Sequence, residues 1–341
     1  MVRYWCVILA TAVLAILGPA GSMGAGDHVV RRAAFDIGST SIKCTVADVD
    51  MITGALVKVV AEDARKVDFA EDLARSYDGN LGREVMERGQ AALEALRQDA
   101  LKLQARQFSA VGGACFQAAR NGRAYFVTLQ QALGFSCRIV SEQQASLLNY
   151  HAVRLMVNVP EPALLVWDIG GDTQQMTVRN PDGTMTFHMD DLASVSFKNA
   201  VIRVIQGRDI ATAHSPNPMT ERQVREALRY AKAHAEMELP RDLAGRLRSG
   251  ALTVIGIGGV HYHSLPETMG SGPARYTRRQ AADALARWTG KSDKDFASEY
   301  ADTRLTNLIL VLAYMDTMGI DAVTPIKCNE AHGLLVSPEY W

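Results

Sequence analysis

The triplet Asp-Ile-Gly occurs twice in matching settings, and that repetition constrains the fold more than any other feature of the chain. Residues 35–48 read FDIGSTSIKCTVAD and residues 165–178 read LVWDIGGDTQQMTV. Each segment is an apolar run, an acid, a turn of small residues and a second run of alternating apolar residues, which is the pattern of strand, tight turn and strand. Two copies imply two related α/β halves that face one another. The 341 residues exceed the roughly 250–300 at which a single core stops growing. No low-complexity linker separates the halves, so they should share an interface and a hinge.

The intervening pattern fits that plan. A third strand, ALVKVVAEDAR, follows the first pair, and apolar residues at three- and four-residue steps then predict a long helix over 81–107. FSAVGGACF reads as a short buried strand, GRAYFVTLQQALG as a helix and SCRIVS as a strand. The second half opens with the helix QASLLNYHAVRLMV before its own strand pair. Thr220 is the expected N-cap of a charged helix reaching about Glu238. LTVIGIGGVHYHSL reads as a buried strand ending in a third glycine turn, with His261 and His263 on one face. These two are read as polar residues near a cleft, because a metal site would need further ligands. The close is a helix, TRLTNLILVLAYMDTMG, then a strand and a short helix.

A strand ending in Asp and running into a Gly-Ser/Thr turn exposes backbone N–H groups that can cradle phosphate oxygens. Gly38, Ser39, Thr40 and Ser41 form the first such turn, Gly170, Gly171 and Thr173 the second, and Gly258 and Gly259 the third. Asp36 and Asp168, at the two strand ends, are placed to hold a hydrated Mg²⁺. Glycine turns from two halves converging on one cleft resemble the actin-like phosphotransferase fold. The fold class expected is therefore α/β, two actin-like (ribonuclease H-like) domains with a phosphate-binding cleft between them.

From about Ala33 to its end the chain resembles the exopolyphosphatase and guanosine pentaphosphate phosphatase (Ppx/GppA) family. FDIGSTSIKCTVAD is similar to the family's first phosphate loop, ACFQAARNGRAYF to its AlRdAkNgeeF segment, and IVSEQQASLLNYHAV to ISGEEEArLiylGV. LLVWDIGGDTQQMTV resembles vvDIGGGSTElvv, VIGIGGVHYHSL the third Gly-Gly loop, and the closing segment the family's lReGLL ending. The resemblance implies actin-like domain I over residues 33–140, joined again by residues 325–341, and domain II over 141–324. It also implies Mg²⁺-dependent hydrolysis of a terminal phosphoanhydride with a glutamate activating water, polyphosphate as a substrate, and pairing as a homodimer. In register with the family, the catalytic glutamate falls at Gln143, the second acid at Gln175 and the phosphate-contacting arginine at Gln117. An amide cannot take a proton from water at neutral pH, and Gln117 cannot pair a phosphate bidentately.

Glu142, one position from the expected base, and Asp172, where the family has glycine, are the candidates to restore an acid. The plainer alternatives are that Glu142 caps the following helix and Asp172 closes its own turn. Two functional readings follow: a phosphohydrolase, or a binding or sensor protein that keeps the cradle without the chemistry. A sugar kinase or heat-shock type ATPase would share the cradle, but the chain shows no recognisable adenosine segment.

Composition narrows the partners. The 36 basic and 37 acidic residues nearly cancel, leaving no single-sign field to suggest nucleic acid. Arg3, the apolar stretch YWCVILATAVLAIL and the small residues Ala20 and Ser22 read as a signal peptide over residues 1–25, with an uncleaved N-terminal anchor as the alternative, and a cleaved signal implies a periplasmic or secreted protein. Initiation at Met23 would instead leave it cytoplasmic. Arg31 and Arg32 read as a solvated edge before the first strand. Cys44, Cys115, Cys137 and Cys328 are widely spaced and read as small buried hydrophobes.

Overall fold

The computed structural model describes residues 28–270 and 275–341, so the expected leader over residues 1–25 lies outside the described residues. Two sheets organise the chain. The first has strand order β3-β2-β1-β4-β5, with β1 Val29–Ile37, β2 Ser41–Asp50, β3 Leu56–Lys66, β4 Gln107–Gly112 and β5 Ser136–Ile139. The second has order β10-β11-β9-β6-β7-β8, with β6 Leu164–Ile169, β7 Gln174–Arg179, β8 Met185–Asp190, β9 Thr253–Ile257, β10 Tyr276–Thr277 and β11 Ala322–Pro325. In each, three antiparallel strands come first and later strands add in parallel beside the first of them, except that the short β10 closes the second sheet antiparallel to β11. The duplicated strand–turn–strand motif is thus the first hairpin of two equivalent sheets, and the molecule is a pair of actin-like domains.

Helices cover the first sheet and join it to the second. α1 Phe69–Arg75, α2 Arg83–Lys102, α3 Ala114–Ala118 and α4 Gly122–Leu133 belong to the first half. The helix expected over 81–107 stops at Lys102, because Gln104 takes a left-handed φ of 67° and the chain turns into β4. FSAVGGACF is likewise strand only to Gly112, and Ala114 starts α3. α5 Glu142–Met156 follows, with Ser141 as its cap in a reciprocal Ser141–Gln144 capping box. The cap is therefore Ser141, and Glu142 occupies the first turn.

The second half holds α6 Ser194–Ala200, α7 Glu221–Glu238, α8 Arg241–Arg248, α9 Leu265–Met269, α10 Arg278–Trp288, α11 Asp293–Phe296 and α12 Ala301–Met318. Thr220 caps α7 through Gln223 N–H, as its position before a charged helix predicts. α12 is buried on nearly every side, so its apolar residues run around the whole circumference and form the centre of the second core. α13 Glu330–Leu335 returns to the first sheet, where Leu334 and Leu335 join Ala34, Ala47, Val111 and Leu148 of α5 in one cluster. Arg32 departs from expectation. It is buried, stacked 4.3 Å from the Trp341 ring and donating to Leu335 O, and so fastens the C-terminus to β1. Cys44, Cys115, Cys137 and Cys328 are free and buried.

Candidate active site

The first turn is rigid because its backbone is used on both sides. Gly38 N–H donates to Ser41 O at 3.0 Å, Ala70 N–H to Ser39 O at 2.9 Å, and Val67 and Asp68 N–H to Thr40 O at 3.0 Å. The closed hairpin sets Asp36 opposite Lys43, and Lys43 Nζ lies 2.9 Å from Asp36 Oδ2. Burial would lower the Lys43 pKa, but the carboxylates of Asp36, Asp168 and Glu330 outweigh it and raise it.

The second turn repeats this plan with amides. Gly170 N–H donates to Thr173 O at 3.0 Å, and Asp168 stands opposite Gln175 across the hairpin. Alternation along β7 sends its two glutamines to opposite faces. Gln174 enters the core, taking Trp167 Nε1–H at 2.9 Å and donating to Leu192 O at 2.6 Å. Gln175 faces the cleft, where its Oε1 accepts from Ser146 Oγ at 2.7 Å. Asp168 Oδ2 accepts from Asn149 Nδ2 at 2.9 Å. Burial, with Asp36 adding to it, pushes the Asp168 carboxyl up to about 6 against the pull of Lys43.

The third turn needs Gly258, whose φ of +80° is left-handed and whose missing Cβ would fall on Asp168. Here the chain leaves β9 for a widened helical turn, Val260–Ser264, which separates the two histidines predicted to share a strand face. His261 is buried, its Nδ1 2.6 Å from Tyr276 OH and its ring 4.7 Å from that of Trp167, and burial lowers its pKa to about 3. His263 is exposed on the cleft wall.

All three turns line one cavity of about 900 Å³. The halves touch across it. A Cβ on Gly171 would lie 2.6 Å from both Ser39 Oγ and Thr40 Cγ2, so only glycine allows the two turns to come this close. Ion pairs span the mouth: Lys198 of α6, almost wholly buried, lies 2.8 Å from Glu71 of α1 and 3.1 Å from Asp302 of α12. Lys66 Nζ donates to Glu299 O at 3.1 Å and sits over the Tyr300 ring, and Arg75 pairs with His214.

From the first turn, Asp36, Gly38, Ser39, Thr40 and Ser41 all lie on the cavity wall. The second turn contributes Asp168, Gly170, Gly171, Asp172, Thr173 and Gln175, and the third Gly258 and Gly259. Gln117 does not reach it: the residue is exposed on α3, and its amide donates to Val140 O. Gln143 is exposed on the first turn of α5, and Glu142 is half-buried outside the wall beside Asp172 and Asp191. Asp172 forms no hydrogen bond within its turn among the described residues. Burial, then the charge of Asp191, raises its pKa. Burial, then Asp172, does the same to Glu142.

Lys43 and Glu330, both on the wall, were not anticipated. Lys43 follows from the hairpin register, which places it opposite Asp36. Glu330 carried no signal, since it sits in the segment matched to lReGLL. It enters the cavity at the start of α13 with Oε2 buried and without a hydrogen-bond partner. Burial, then Asp36 and Asp168, lifts its pKa well above the ordinary range. Three carboxylates thus surround one ammonium, and one of them keeps an unpartnered oxygen.

Residues 46–190 match the model of the Ppx/GppA phosphatase family. Over that span the chain is similar to this family. The matched span runs from β2 through the second hairpin to the end of β8, so it includes both Asp168 and the turn that follows it. Among solved structures, an exopolyphosphatase-like protein superposes with a TM-score of 0.72 at 17% identity, covering 91% of this chain and 97% of its own. An exopolyphosphatase from Cytophaga hutchinsonii gives 0.70 at 13% identity, covering 89% and 96%. The Ppx/GppA protein of Aquifex aeolicus gives 0.68 at 16% identity, covering 90% and 97%. At these identities the superpositions establish the fold.

Proposed function

We propose that the chain is a phosphohydrolase that releases terminal phosphate from polyphosphate or a related phosphoanhydride. One observation carries this reading: glycine turns from both halves meet across a single cavity, with Gly171 against Ser39 and Thr40 and an uncompensated carboxylate, Asp172, beside them. The N–H groups and hydroxyls of the turns bind phosphate oxygens, and Lys43 offsets their charge. Asp36 and Asp168 would hold a hydrated Mg²⁺, which on binding polarises the phosphoryl oxygens and neutralises developing charge. Asp172 takes the proton of the attacking water as its oxygen bonds to phosphorus and the bridging P–O bond breaks; a carboxylate with raised proton affinity suits that task. An export leader would direct the activity to polyphosphate or a phosphorylated envelope molecule rather than a cytoplasmic guanosine nucleotide.

The test is phosphate release from long-chain polyphosphate with Mg²⁺. The wild type should turn over, and Asp172→Asn should lose about a hundred- to ten-thousand-fold in rate. Tight binding without release by the wild type would make the chain a binding or sensor protein, in keeping with the amides at Gln117, Gln143 and Gln175.

A further inference from the structure

Behind the second turn, on the covered face of the second sheet, lies a group of metal-binding side chains that the cleft chemistry does not use. His188 and Asp190, two residues apart on β8, point to the same side. His234 of α7 lies against them, its Nε2 2.7 Å from Asp190 Oδ1. Asp191 offers a carboxylate oxygen within 4.8 Å of the ligand atoms of Asp190 and His234. None of the four lines the cavity. A plain hydrogen-bonded aspartate accounts for part of this, since Asp190 also accepts Leu192 N–H at 2.8 Å and the hydroxyl of Tyr314.

It leaves one buried group unexplained. His188 Nε2 is buried with no hydrogen-bond partner and is aimed at Asp190 Oδ2, 3.7 Å away. Neither Asp190 nor Asp191 pairs with a lysine or arginine among the described residues. We propose that Asp190, Asp191 and His234, whose ligand atoms lie within 4.8 Å of one another, form a binding site for a divalent transition-metal ion of the Zn²⁺ class, with the buried His188 beside Asp190 turning in as the fourth ligand. Ligand distances near 2.1 Å make the 3.7 Å His188–Asp190 separation subtend about 125° at the ion and the 2.7 Å His234–Asp190 contact about 80°, so His234 must draw back from Asp190 as the ion enters. Two carboxylates and two neutral imidazoles balance its charge, and the mixed nitrogen and oxygen set selects against Mg²⁺.

The position suggests what the ion does. Ser196 Oγ donates to Asp191 O at 2.6 Å, and the adjacent Val195 N–H donates to Gly171 O at 2.6 Å. A metal at the end of β8 therefore braces the segment that holds the second turn. This role does not depend on the proposed hydrolysis.

The test titrates chelator-treated full chain with Co²⁺ as a spectroscopic probe and then with Zn²⁺. One equivalent of Co²⁺ should give visible ligand-field bands that Zn²⁺ displaces. Asp191→Asn, an exposed change that spares the core, should weaken binding at least tenfold, and His188→Gln should remove the bands. Asp168→Asn in the cleft should leave them unchanged. Absence of the bands in the wild type, equal affinity in Asp191→Asn, or their loss with Asp168→Asn alone would overturn the assignment.

Discussion

Gly171→Ala tests how tightly the two halves must approach. The new methyl would lie 2.6 Å from Thr40 Cγ2 and Ser39 Oγ, whereas carbon atoms in contact settle at about 3.5–4.0 Å, so the turns must part by about 1 Å. Ser39 can turn its hydroxyl aside, but the β-branched Thr40 has little rotamer freedom. Neither backbone can give way: Thr40 O holds two N–H groups at 3.0 Å, and Gly171 O accepts from Val195 at 2.6 Å. The separation must come from the halves moving apart. A 1 Å displacement of groups that position a substrate costs about a hundredfold in rate, or about 3 kcal/mol. Steady-state phosphate release and binding of tripolyphosphate by calorimetry should both show this loss, while Tm changes by only a few degrees. Gly245→Ala is the control, because a Cβ there meets nothing within 4 Å and the residue lies in α8, off the cavity wall. A folded Gly171→Ala protein with wild-type activity, or an equal loss in Gly245→Ala, would refute the reasoning.

Three further outcomes follow from the same geometry. Asp168 has its pKa raised from about 4 to about 6, so its neutral form favours the fold; that contribution is complete below pH 4 and lost as pH rises through 6. Calorimetric Tm should therefore decline more steeply between pH 4 and 6.5 for the wild type than for Asp168→Asn, and parallel profiles would contradict this. Gln174→Leu strands the Trp167 N–H and the Leu192 carbonyl in the core, at a cost of about 3 kcal/mol and roughly 5–10 °C in Tm; an unchanged melt would count against that network. Gln143→Glu, exposed and off the cavity wall, should leave phosphate release unchanged, and a hundredfold gain would place the base there instead.

The architecture was legible because its decisive signals are local. An acid, a glycine turn and alternation on either side specify a hairpin wherever they occur, and their recurrence gives the paired sheets. Thr220 could be recognised as a cap for the same reason. What escaped depends on long-range packing. Arg32 is buried because the C-terminal Trp341 returns to cover it, and nothing near Arg32 in the sequence announces that partner. His261 and His263 part company because the left-handed Gly258 ends the strand sooner than its apolar letters suggest. Gln117 matches a phosphate-binding position by alignment, yet the geometry of α3 turns its amide to Val140 O. Glu330 enters the cavity only because α13 crosses back to the first half, a contact between segments almost three hundred residues apart in sequence.

The central claim is that glycine turns from both halves close together on one phosphate-bearing ligand. Hydrogen–deuterium exchange of the full chain with and without tripolyphosphate and Mg²⁺ tests it most directly. The account predicts joint slowing of amide exchange at residues 38–41, 170–173 and 258–260, weakened at all three in Gly171→Ala. Protection confined to one turn, or none at any concentration that binds the ligand, would contradict it.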